Sequence, residues 1–234
     1  MVPLQYAYLF GDLSFLAVWI IFYIVCANVR REMITMSLLI GIVSVLTAYF
    51  WWTSDWWHPL TITHTRVGIE DFLMGFSSGG VMAVAYEVVF KKLYAPRDNR
   101  HYHPSGFTIL VMLALLTSWF IWGIGLTSFW ASTLAMLFIA STLLMFRKDL
   151  FLNSILSGFL MFGISFLFYY SIIMVSPTWV QSTYNFRYLS GVLIFGIPIE
   201  ELVFWFIAGL VFGPFYEYWK CQYLRPNRAT KRLK

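Results

Sequence analysis

Two adjacent carboxylates, Glu200 and Glu201, stand inside Ile197-Pro198-Ile199-Glu200-Glu201-Leu202-Val203-Phe204, one of the most apolar stretches of the chain. A carboxylate in hydrocarbon must keep its proton, find a partner or face a cavity, so an acidic pair there marks a candidate functional site. A second pair lies upstream. Shifting the chain by 130 positions lays Ile69-Glu70-Asp71 on Ile199-Glu200-Glu201, and the register continues through Phe76/Phe206, Gly79/Gly209, Val81/Val211 and Tyr86-Glu87/Tyr216-Glu217. Paired carboxyls in a dry site suit general acid and base work, because two charges that close seldom ionise together. Neighbours on a helix point about 100° apart, so one member of each pair can face a cavity while the other packs elsewhere. Arg66 precedes Glu70 by four residues and can hold it ionised, whereas Glu200 has only apolar neighbours upstream. The two sites are therefore expected to have different jobs.

The run Tyr49-Phe50-Trp51-Trp52-Thr53-Ser54-Asp55-Trp56-Trp57-His58 is densely aromatic. It reads either as an interfacial belt or as a cavity wall whose ring faces steady a cation, at about 0.5–2 kcal/mol per ring. The second half offers Trp179, Tyr184, Asn185 and Phe186, with Asn185 standing where Asp55 stands. Asp12 is expected to snorkel at the outer end of the first helix. Glu87 with Lys91 and Glu217 with Lys220 have ion-pair spacing. His101 and His103 with Asp98 read as a solvated loop, and His58 and His64 lie on the opposite side, where they can bear on the pocket. No metal site is expected. Without Gly-x-Gly-x-x-Gly after a strand, no flavin or nicotinamide fold is expected either, nor any other cofactor. A retinal Schiff base would need a mid-membrane lysine, and the spans contain none.

The elements that must hold these residues follow from composition. With 60% hydrophobic and 12% charged positions among 234 residues, the chain reads as an all-α polytopic membrane protein rather than a soluble domain. Seven apolar runs approach the ~20 residues that cross a bilayer: about 6–27, 33–52, 68–90, 107–125, 128–146, 150–175 and 189–219. All lysines and arginines except Arg66 and Arg187 fall on one side, which predicts an outside N-terminus and a cytoplasmic C-terminus in a cell membrane. The net charge of +5 is then topology; the basic tail touches anionic lipid and no nucleic-acid partner is needed. Cys26 and Cys221 near the cytoplasmic face imply no disulfide. The first run lacks a basic leader and a cleavage site, so it reads as a retained helix.

The turn Arg30-Arg31-Glu32 recurs as Arg147-Lys148-Asp149, with Ser37, Leu39 and Gly41 matching Ser154, Leu156 and Gly158 at an offset of 117. The expected organisation is two parallel three-helix repeats, 1–95 and 128–220, a linking loop and fourth helix at 96–127, and a basic tail at 221–234. The fourth span reads as a linker only. Gly75, Gly79, Gly80, Gly209 and Gly213 read as sites of close helix approach. Gly196 and Pro198 interrupt the last span, predicting a kinked or re-entrant segment at 189–196 and then a helix with Glu200 and Glu201 in its first turn.

Pro198-Ile199-Glu200-Glu201-x-x-Phe204 resembles the motif of the membrane-integral lycopene cyclase family, whose domain occurs as two subunits or as a fused tandem copy. Gly68-Ile69-Glu70-Asp71-Phe72 is similar, with glycine in place of proline. The resemblance implies a carotenoid cyclase, an isomerase that converts the ψ end groups of a linear carotenoid such as lycopene to β-ionone-type rings without redox change. It implies Glu200 as the acid, with Glu201, Glu70 or Asp71 as base or electrostatic support. Trp52, Asp55, Trp56, Trp57, Trp179, Asn185 and Phe204 would line the substrate site, which opens toward lipid. Two other readings remain: a non-catalytic carotenoid- or lipid-binding protein of the same fold, and a Glu-Glu-type intramembrane protease. The latter lacks the arginine and the membrane histidines it would need.

Overall fold

The computed structural model describes residues 2–96 and 104–226. Seven helices long and apolar enough to cross a membrane make an all-α polytopic architecture. They are α1 (Leu4–Val25), α2 (Arg30–Thr47), α3 (Ile69–Phe90), α4 (Gly106–Trp119), α5 (Ser128–Phe146), α6 (Phe151–Val175) and α7 (Ile199–Phe212). "Upper" denotes here the end of the bundle at which α3 and α7 begin. A π-helical turn, Ala48–Trp52, carries α2 upward into a single turn at Thr53–Asp55, and a second π turn, Phe120–Ile124, extends α4. Below α7, Gly213 and Pro214 break the helix before the short helix Phe215–Trp219.

Small residues bring the helices together. A Cβ at Gly75 would lie 2.8 Å from the carbonyl oxygen of Ile40, and one at Gly209 would lie 2.6 Å from that of Ser157. Those glycines let α2 lie along α3 and α6 along α7, as expected where association in lipid depends on close packing. Helix α1 packs on α3, and α5 packs on α7. Contacts of α6 with α1 and α3, and of α3 with α7, join the two halves. Helices α3 and α7 are the buried axis of the bundle. Helix α4 is its most exposed member, with 11% of its span buried.

The upper loops are stitched across the halves. The His58 amide donates to the Thr183 carbonyl (2.8 Å), the Asn185 amide donates to the Trp56 carbonyl (3.1 Å), and Trp57 and Tyr184 form a β-bridge between them. The interruption before α7 is a two-residue hairpin, β2 (Leu193–Ile194) on β3 (Ile197–Pro198), with β1 (Lys92–Pro96) below. Its turn uses positive φ at Phe195 (52°) and Gly196 (84°), and only the glycine takes that conformation without strain. The expected re-entrant segment is thus this hairpin. At the lower end β1 pairs antiparallel with β4 (Gln222–Pro226). Buried Arg147 braces the β1–β4 sheet by a bidentate pair with Asp149 (2.9 and 2.8 Å) and by donating to the carbonyls of Gln222 and Glu217.

Three expectations fail in this framework. Asp12 does not snorkel: it is 0% exposed on the inner face of α1, and neither carboxyl oxygen has a partner. The lower ion pairs do not form, because Glu87 and Glu217 turn into the bundle together with Glu32 while Lys220 lies over the Trp219 ring, 3.9 Å from its centroid. Glu87 accepts from Asn153 Nδ2 instead (3.3 Å). Tyr94 of β1 faces these three acids; burial and their charges push its phenol far above the ordinary range, so it stays neutral. The fourth span is more than a linker, because α4 supplies one wall of the cavity described next.

Candidate active site

A cavity of about 220 Å³ lies inside the bundle, lined by α2, α3, α4, α5 and α7 with Tyr8 of α1 and Tyr169 of α6. Its lining is mostly apolar and aromatic, with a few serine and threonine hydroxyls and two carboxylates, Asp71 from the first half and Glu201 from the second. Both owe their place to helix starts. Because α3 begins at Ile69 and α7 at Ile199, each acidic pair falls in a first turn, where free amides and the helix dipole favour negative charge.

Within each pair the two side chains part company, and they do so alike in both halves. Glu70 Oε1 accepts the Ile62 amide (2.6 Å) and Glu200 Oε1 accepts the Ser190 amide (2.5 Å), so both tie the helix start to the loop before it. Asp71 and Glu201 turn the other way, into the cavity. The expected difference in role between Glu70 and Glu200 is therefore absent. Arg66 does not hold Glu70: its Nε donates to Thr53 Oγ1 (2.6 Å) and its guanidinium lies over Tyr49. Gly68, where the second half has Pro198, follows from the same loop. A Cβ there would lie 2.9 Å from the Thr61 Cβ and would strike the Glu70 carboxylate, so no larger residue fits without displacing both.

Each cavity carboxylate is gripped by a tyrosine from a neighbouring helix. Tyr8 of α1 donates to Asp71 Oδ1 (3.2 Å), while Asp71 Oδ2 accepts the Gly68 amide (2.8 Å) and closes the helix cap. Tyr169 of α6 donates to Glu201 Oε2 (2.5 Å) and itself accepts from Trp205 Nε1 (3.1 Å). Asp71 thus has donors on both oxygens, as an anion requires. Glu201 Oε1 is buried without a partner. Tyr184 stands beside Glu201, and burial above all pushes its phenol well above its ordinary value, keeping it neutral.

The aromatic run divides between wall and support. Trp52, Trp56, Trp57 and Phe204 line the cavity. Trp56 meets Phe204 edge to face (centroids 5.0 Å) and Trp52 meets Phe204 likewise (5.6 Å), a geometry that favours ring quadrupoles. The π turn is what rotates Trp51 and Trp52 inward at the top of α2, and such turns recur at functional sites. Trp179 lies behind the wall, buried against Trp57 (5.7 Å), Tyr169 and Tyr184. Asp55 is a structural tie: Oδ2 accepts the Ser128 amide (2.9 Å) and Oδ1 the Ser128 hydroxyl, capping α5. Asn185 does not repeat that role and only accepts the Arg187 amide (3.3 Å). His58 and His64 are exposed and do not line the cavity, while His101, His103 and Asp98 lie outside the described residues. Tyr8, Tyr169 and Trp205 escaped the sequence reading. A polar tip on an otherwise greasy helix face is the one signal that could have found them.

The lycopene cyclase family model matches residues 127–219, which hold Glu201, Tyr169 and Phe204. Over those residues the chain is similar to a lycopene cyclase domain. No curated protein and no solved structure matches the chain. The match to the family model supports a carotenoid-cyclising activity in general terms, within a protein whose seven apolar helices suit a multi-pass membrane fold. The family match ends short of the first half, yet the cavity is incomplete without Asp71, Trp52 and the rest of α2 and α3.

Proposed function

We propose that the protein cyclises the ψ end group of a linear carotenoid with Glu201 as acid and Asp71 as base. The observation that carries this is one carboxylate from each half facing a single aromatic-walled cavity. Glu201, buried in the aromatic-walled cavity, gives its proton to the terminal alkene. The neighbouring double bond attacks the tertiary cation, forming the ring's carbon–carbon bond. Asp71, held as an anion by the Gly68 amide and the Tyr8 hydroxyl, removes a ring proton to leave a β-type double bond. Transfer of that proton back to Glu201 resets the pair, so the reaction is an isomerisation. Trp52, Trp56 and Phe204 surround the cation, and cation–π attraction of about 0.5–2 kcal/mol per ring lowers its energy.

The matching helix registers, the shared Glu70/Glu200 ties and the span of the family match support a tandem duplication, with residues 1–95 and 128–220 as its units. The basic residues support an outside N-terminus. Expression in cells that accumulate lycopene, with pigments resolved by chromatography, tests the reading. The wild type yields ring-bearing products, and Glu201→Gln and Asp71→Asn each lower ring formation at least about 100-fold. Wild-type protein that binds lycopene and returns it unchanged refutes catalysis and leaves a carotenoid-binding protein.

A further inference from the structure

We propose that the carotenoid reaches the active site sideways from the bilayer, through a window between α2 and α4, one end group at a time. The proposal rests on the cyclase reading and locates its substrate path.

The packing order leaves one side of the cavity open. Helix α2 lies on α3, α3 meets α7, α7 meets α5, and α5 lies on α4 and meets the π turn above α2, whereas no extensive packing joins α2 to α4 among the described residues. The walls therefore form a horseshoe. Its upper end is bridged by the Trp52 indole donating to Ser132 Oγ (3.1 Å) and by the Asp55 cap on Ser128. At the lower end the Trp219 ring covers Gly106 at the start of α4. Val43 and Thr47 of α2 and Leu113, Ala114 and Thr117 of α4 all line the cavity. Leu46 and Phe50 line the cavity and are still 49% and 58% exposed, which places the same side chains in both the chamber and the lipid.

Size sets the mode of use. Along α3 the lining runs from Asp71 to Met82, about 16 Å at 1.5 Å per residue. A linear carotenoid is about as long as the ~30 Å hydrocarbon core is thick. An end group fits beside Asp71 and Glu201 while the remaining polyene trails through the window along the exposed faces of α2 and α4. The first ring must leave before the second end can enter, so a singly cyclised product is released between turnovers.

The test is to narrow the window and follow turnover in lipid vesicles. Ala114→Val, Ala114→Leu and Ala114→Trp should lower kcat/KM for lycopene progressively, by roughly ten-fold or more at tryptophan. Leu115→Trp, on the lipid face beside it and outside the cavity lining, should stay within about two-fold. A thermal melt identifies variants that fail to fold, and for these a second measurement decides. Ala114→Cys should react with a membrane-soluble maleimide, and added lycopene should slow that reaction, whereas Leu115→Cys should react without protection. Wild-type turnover by Ala114→Trp, or no protection of Ala114→Cys, overturns the window while the cyclase reading stands. Protection of Ala114→Cys in a wild-type background that forms no rings supports the window and refutes the cyclase.

Discussion

At the residue scale the site turns on which member of each acidic pair faces inward. The sequence showed both pairs, their duplication and the aromatic residues near them. It could not show that Glu200 and Glu70 turn to backbone amides, because those amides come from loops eight and ten residues upstream whose path no local pattern encodes. Nor did a motif mark Tyr8, which reaches Asp71 across 63 positions of sequence. The tyrosines position the carboxylates. Tyr169→Phe removes a charge-assisted hydrogen bond from Glu201 Oε2 and frees the Trp205 indole, so ring formation should fall roughly ten-fold with the fold intact. Parallel pigment assays and melting curves check it; a variant as fast as wild type would leave Tyr169 with packing alone.

At the element scale, helix ends do the placing. The break at Gly196 and Pro198 was legible, as was the first-turn position of Glu200 and Glu201, since both depend on local backbone rules. The fourth span was misread because its sequence has no ionisable group, and an apolar helix facing lipid cannot be distinguished by composition from one facing a greasy cavity. Asp55 shows the converse: a conspicuous acid near the site that serves a helix end. Asp55→Ala should cost about 1 kcal/mol, the worth of a helix cap, seen as a lower melting temperature in detergent. Its ring formation per folded molecule should fall far less than that of Asp71→Asn, which leaves the fold but removes the base.

At the scale of the whole molecule, hydropathy and charge revealed seven spans, because lipid forces backbone hydrogen bonds inside each helix and so makes the pattern local. Which helices would meet was partly legible from the glycines. The open side between α2 and α4 was not, since a gap is a missing contact and leaves no mark on sequence. That gap also decides what concentration means for this protein. If the doorway faces acyl chains, the aqueous volume of an assay is irrelevant and the governing variable is pigment per phospholipid. Doubling inert lipid at fixed enzyme and fixed carotenoid should then slow unsaturated turnover about two-fold, whereas doubling the buffer should change nothing. Surface dilution of this kind would let membrane expansion throttle ring formation without any change in the amounts of enzyme or substrate.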